Sequence, residues 1–169
     1  MYVKPRYIYN KGIIIALKFQ NYKMKPLLIL LLSLTLMSFS GWENDLETAQ
    51  LKAGEDNKYI LLNFSGSDWC GNCIKMRKEI FESEPFQIFA ENNLVLLNAD
   101  FPRLSKNQLT KDQQKKNDLL AEKYNSRGSF PFTLLLKSDG SIVKVWDGYQ
   151  HTTPEEFIAQ ISTLINNGN

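Results

Sequence analysis

The two cysteines of this chain, Cys70 and Cys73, sit where one kind of hydrophobic periodicity gives way to another. Before them, Tyr59-Ile60-Leu61-Leu62-Asn63-Phe64 is a short apolar run of strand type. After them, Ile74-Lys75-Met76-Arg77-Lys78-Glu79-Ile80-Phe81 repeats at helical spacing. Cys73, Met76, Ile80 and Phe81 then share one helix face, with Asn72, Lys75, Lys78, Glu79 and Glu82 on the other. A strand, a tight turn and a helix carrying both thiols in its first turn is a redox arrangement with a physical basis. The free N–H groups and positive dipole end of the helix stabilise a thiolate on the first cysteine. The second cysteine lies nearly one turn on, close enough to close a disulfide.

Other uses of the pair are weaker. A zinc site needs about four Cys, His or carboxylate ligands. The chain has a single histidine, His151, distant in sequence. An all-cysteine iron–sulfur site needs about four cysteines. A metal shared between subunits and a purely structural disulfide stay open. Such a disulfide closes a very small loop and restrains the unfolded chain little.

The 169 residues suffice for one domain, and a hydrophobic share of 43% with 22% charged residues is that of a globular chain. Charge is unevenly placed. Six of the 20 Lys+Arg precede Gly41, where Asp and Glu are absent, which leaves 14 against 18 acidic residues and a net of −4 from Gly41 onward. That mildly acidic body argues against nucleic-acid binding. Met24-Lys25-Pro26 opens a basic start, residues 27–39 form an apolar core, and Ser38 and Ser40 are the small residues of a cleavage site. The apolar run is short against the roughly 20 residues of a membrane span. The chain therefore divides into residues 1–40, an extension and signal peptide with its start at Met24, and residues 41–169, one exported domain. With no further cysteine to act as a staple, stability of an exported body rests on its core.

From Gly41 the patterning predicts a helix over residues 43–53, with Trp42 under its start, and a strand over 59–64. The cysteine-bearing helix runs to about Glu82, and Ser83-Glu84-Pro85 starts another through 86–91. Residues 94–100 form a continuous apolar strand buried on both faces. A loop over 101–110 and a polar helix over 111–124 carrying Leu119, Leu120 and Tyr124 follow. Strands over 132–137 and 142–146 flank an Asp139-Gly140 hairpin turn. Thr153-Pro154-Glu155-Glu156 is a capping box opening the last helix. This order implies an α/β fold, a mixed central sheet with helices on both faces.

Trp69-Cys70-Gly71-Asn72-Cys73 at a strand–helix junction, with Arg127-Gly128 leading to Phe130-Pro131 before an apolar strand, resembles the thioredoxin superfamily. Phe64-Ser65-Gly66-Ser67-Asp68 and Asp100-Phe101-Pro102 look most like its exported bacterial members. The resemblance implies a thioredoxin-like fold and a role for each matching position. Cys70 would be the attacking thiolate and Cys73 the resolving thiol. Pro131 would be the family's cis-proline, facing the cysteines. Trp69, Gly71, Asn72, Phe130 and Pro131 would line the substrate groove. It implies no metal and no organic cofactor, disulfide-containing protein substrates, a membrane thiol electron donor, a monomeric working form and a periplasmic or secreted location.

Three departures from thioredoxin stand out. Asn63 falls near the position of a buried acid that moves the second thiol's proton, and Asn is no general base. Asn72 replaces the proline between the cysteines. Ser129-Phe130 adds one residue before Pro131. The absence of a cationic His between the cysteines favours a reductant or isomerase over a strong oxidant. His151 reads as an exposed loop residue. Two rival functions are a non-catalytic binding module with a structural disulfide and a thiol peroxidase, for which no peroxide-binding signature is visible. N-terminal sequencing of exported protein is expected to begin at or near Gly41, after cleavage at Ser40-Gly41; a mature chain starting before Met24 contradicts the leader assignment.

Overall fold

The computed structural model describes residues 41–167, so the expected signal segment and the start expected at Met24 lie outside the described residues. The order is α1 (Leu46–Glu55), β1 (Tyr59–Ser65), α2 (Gly71–Met76) continued by a π-helical turn (Arg77–Phe81), α3 (Glu84–Asn93), β2 (Leu94–Asp100), a short 3-10 turn (Ser105–Asn107), α4 (Lys111–Tyr124), β3 (Phe132–Leu136), β4 (Ile142–Asp147) and α5 (Pro154–Asn167). The sheet runs β2-β1-β3-β4, with β1 parallel to β2 and antiparallel to β3, and β3 antiparallel to β4. It is a mixed sheet with helices on both faces, a thioredoxin-like α/β fold.

Strand alternation sorts the core into two layers. Ile60, Leu62 and Phe64 of β1, Val95, Leu97 and Ala99 of β2, and Leu134 and Leu136 of β3 meet α1 and α4 through Ala49, Ala53, Leu120 and Tyr124. On the other face Leu61, Leu94, Leu96, Leu135 and Trp146 meet Met76, Ile80 and Phe81 of the cysteine-bearing helix, Phe86 and Ala90 of α3, and Phe157 and Ile161 of α5. Each buried side chain of this size contributes about 1.5–3 kcal/mol, so the sheet register is set by these two layers. The capping box of α5 is formed, with Thr153 N–H donating to Glu156 at 3.0 Å and Glu156 N–H to Thr153 Oγ1 at 3.2 Å.

Several boundaries differ from the pattern-based expectation, each for a visible reason. The first helix starts at Leu46, because Asp45 caps it; Glu43 instead bridges to Leu97, its N–H donating to the Leu96 carbonyl at 2.7 Å. Trp42 does not pack under α1. Its ring meets Phe81 edge-on at 5.2 Å, in the opposite layer. Leu119 points outward at 56% exposure, and the buried polar residue of α4 is Asn117, which donates to the Asp100 carbonyl at 2.8 Å. The loop over 101–110 contains the 3-10 turn.

Asp45 joins α1 to α4: it accepts from Thr48 N–H at 3.0 Å and from Lys116 Nζ at 2.7 Å. The Lys116 bond, then those from Thr48, hold its carboxyl at about 2, below the ordinary 3.8. A depressed carboxylate stabilises the fold above its unfolded pKa and stops doing so as pH falls through the folded one. Asp45→Ala is therefore expected to cost about 1 kcal/mol in urea unfolding at neutral pH. Between 3.8 and about 2 the wild-type advantage shrinks away. An unchanged midpoint at pH 7, or an advantage that grows on acidification, contradicts this.

Candidate active site

The turn that follows β1 is held by its own backbone. The Gly66 carbonyl accepts Cys70 N–H at 2.9 Å and Trp69 N–H at 3.3 Å. Gly66 is required here by contact, since a Cβ would lie 2.3 Å from Trp69 Cε2. Cys70 is the N-cap of α2, extended at φ −90° and ψ 99°, and its Sγ accepts Cys73 N–H at 3.2 Å. The two cysteines form a disulfide with Cα atoms 5.2 Å apart. Both are buried, while Gly71 and Asn72 between them are exposed.

An aromatic rim rises beside Cys70. Trp69 Nε1 donates to the Phe101 carbonyl at 2.7 Å, and its ring meets Phe130 edge-on at 5.4 Å. Phe130 also touches Phe101, with ring centres 5.6 Å apart. The Phe130–Pro131 peptide bond is cis, and Pro131 is buried immediately before β3, at the end where β1 delivers the cysteines. The Arg103 guanidinium lies 3.6 Å above the Trp69 ring. Asp68 anchors the loop that carries it, accepting from Arg103 N–H and Leu104 N–H at 2.9 Å each and from Asn107 at 3.0 Å. The Arg103 N–H above all, with Asn107 and the Leu104 N–H, holds the Asp68 carboxyl below its ordinary value.

Beneath α2 the sheet changes character. On the face that carries Leu61, Leu94, Leu96 and Leu135, the strand ends nearest the cysteines carry Asn63, Ser65, Asn98, Asp100 and Thr133. These form one hydrogen-bonded chain. Thr133 Oγ1 donates to Asn63 Oδ1 at 3.0 Å and Asn63 Nδ2 to Asn98 Oδ1 at 3.2 Å, while Ser65 Oγ lies 3.1 Å from both Asn98 Oδ1 and Asp100 Oδ1, its single proton shared between these two acceptors. Ser67 closes it, giving its N–H to Asp100 at 2.8 Å and its hydroxyl at 2.5 Å. A cavity of about 190 Å³ opens between this chain and the helix, lined by Asn63, Ser65, Ser67, Asn98, Cys73 and Arg77 among others. Asn63 is thus a buried amide, and the carboxylate of the chain is Asp100.

The structure brings Trp69, Cys70, Cys73 and Phe130 together around one junction, with Pro131 at the adjoining strand start. His151 is exposed at φ 49°, its ring 4.7 Å from Tyr149. Among the described residues no group of three or more His, Cys, Asp or Glu side chains is placed to hold a metal ion. The sequence marks Ser65, Asp68 and Asp100 only as points of resemblance; the contacts of Asp68 with the Arg103 loop and the Ser65–Asn98–Asp100 chain are not predicted by it. Contacts spanning more than thirty residues leave no local signal, although the polar alternate positions of β1 and β2 are visible once the register is known.

Residues 46–165 match the thioredoxin-like domain family. The chain is similar to the disulfide bond reductase DsbH of Chlamydia pneumoniae, with 37% identity over 99 residues, which is 59% of this chain and 57% of that protein. It thus spans little more than half of that curated relative's length. Among solved structures it is similar to a DsbH oxidoreductase, at TM-score 0.67 and 29% identity over 75% of this chain and 84% of the other. A thioredoxin from Thermus thermophilus shares the fold, at TM-score 0.55 and 16% identity over 76% of this chain and 88% of that one.

Gly66→Ala is expected to displace the Trp69 indole and break its bond to Phe101, costing about 1–3 kcal/mol by overpacking. Urea unfolding of the oxidised protein checks it; wild-type stability in the variant contradicts the contact.

Proposed function

The chain belongs to the thioredoxin-like family, and from that premise we propose that it is an exported thiol–disulfide oxidoreductase. It reduces or exchanges protein disulfides through the Cys-Gly-Asn-Cys dithiol of Cys70 and Cys73. The observation that carries this is the disulfide at the start of α2, with the Cys73 N–H already directed at Cys70 Sγ. When the disulfide opens, that N–H and the helix start support a thiolate on Cys70.

In the reducing direction the Cys70 thiolate attacks one sulfur of a target disulfide. A Cys70–target bond forms, the target S–S bond breaks, and the first target thiolate leaves. Cys73 then gives up its proton and attacks Cys70 Sγ, releasing the second target thiolate. The target gains two electrons and the Cys70–Cys73 pair loses them. The disulfide state described above is the end of this half-cycle, and a thiol donor at the membrane restores the dithiol. The polar chain beneath α2 offers the Cys73 proton a route in the absence of an acid at position 63: the shared cavity leads it to the Ser65 and Ser67 hydroxyls, both bonded to Asp100. Trp69, Gly71, Asn72, Phe130 and Pro131 border the groove in which the target lies. Export rests on the basic-then-apolar leader ahead of Gly41, in keeping with a periplasmic or secreted location.

The test is dithiothreitol-driven reduction of insulin. Wild type is expected to turn over, and Cys70→Ser to lose at least about 10³-fold of the rate, as removal of a nucleophile does. Cys73→Ser is expected to accumulate a mixed disulfide with insulin. Wild-type protein that reduces no insulin, or a Cys70→Ser variant as active as wild type, contradicts the proposal.

A further inference from the structure

Arg103 is positioned without an ionic partner. Its guanidinium stacks on the Trp69 ring at 3.6 Å, and among the described residues no carboxylate forms an ion pair with it. The Asp68 carboxylate that anchors this loop accepts from the Arg103 and Leu104 main-chain N–H groups and from Asn107. Those bonds fix the loop, not the guanidinium. Arg103 is exposed, and a guanidinium that meets an aromatic ring through its face keeps its N–H groups available to a carboxylate. The ring beneath it belongs to the residue preceding Cys70, and the same ring touches Phe130, which precedes Pro131.

We infer that Arg103 and Trp69 form a recognition ledge for protein targets with an acidic side chain flanking the disulfide. The inference rests on the oxidoreductase reading and names its substrate class. An acidic flank ordinarily repels an incoming thiolate; a guanidinium held beside the nucleophile's neighbour offsets that repulsion and adds an ion pair. The body as a whole is net negative, at 14 Lys+Arg, Arg103 among them, against 18 Asp+Glu from Gly41 onward. A local cation therefore selects for acid where the overall charge would disfavour it. The Asp68 bonds are to main-chain N–H groups, so replacing the Arg103 side chain leaves the loop anchored.

The test uses two synthetic disulfide peptides, identical except for glutamate or lysine beside the reacting cysteine, with hydroxyethyl disulfide as an uncharged control. For wild type, kcat/KM is expected to favour the glutamate peptide by about two- to fivefold at low ionic strength. The preference narrows at about 0.5 M salt, vanishes in Arg103→Gln and inverts in Arg103→Glu. Equal kcat/KM on both peptides in wild type, or a preference that survives Arg103→Glu, overturns the inference. All three proteins are expected to reduce hydroxyethyl disulfide at similar rates. If wild type fails on that control, the oxidoreductase reading itself fails; normal control rates without a charge preference overturn this inference alone.

Discussion

Burial of β1 on both faces is the constraint from which the site follows. Every residue from Tyr59 to Ser65 is buried, with β2 bonded along one edge and β3 along the other. A one-residue slip would exchange Ile60, Leu62 and Phe64 with Leu61 and Asn63 between two packed layers. At about 1.5–3 kcal/mol for each large apolar side chain displaced, that outweighs the few tenths available from the surface ion pairs. The position of the strand end is therefore fixed. With it are fixed the Gly66 carbonyl that holds Cys70 N–H and the axis along which α2 sets out.

The face beneath α2 serves two purposes along its length. Far from the cysteines it is apolar and packs Met76, Ile80 and Phe81, the last two in a π-helical turn. Near them it is polar, and burying Asn63 and Thr133 costs several kcal/mol unless their groups are bonded. They are bonded, and among the described residues no buried side-chain nitrogen or oxygen lacks a partner. In the proposed mechanism this satisfied polar chain beside Cys73 is what would take up the departing proton, a role an apolar layer could not fill. The Trp69, Phe101 and Phe130 rings form a separate aromatic cluster beside Cys70, with Phe130 touching both of the others.

Much of this was legible in the chain because it is local. The strand-to-helix change around Cys70, the capping box at Thr153 and the Asp139-Gly140 turn each lie within a few residues of their signal. Gly140 shows the strength of such a signal, at φ 84° and with the Tyr124 hydroxyl donating to its carbonyl at 3.0 Å. What stayed hidden depends on pairing across the fold. Trp42 reads as a helix neighbour but packs on Phe81, because the Glu43–Leu97 bridge carries it to the other face. Leu119 reads as core by type, yet Asn117 takes the inward position since the Asp100 carbonyl needs a donor there. Arg103 lies in a polar loop and gains meaning only when Asp68 draws that loop onto Trp69.

The central claim is that the Cys70–Cys73 pair is a working redox couple rather than a staple. Equilibrating the purified protein with dithiothreitol and with glutathione buffers of known poise tests it most directly. With neutral Gly71 and Asn72 between the cysteines, a potential at the reducing end of the active range is expected, near thioredoxin's roughly −270 mV. A pair that stays oxidised below about −300 mV, as structural disulfides do, would contradict it.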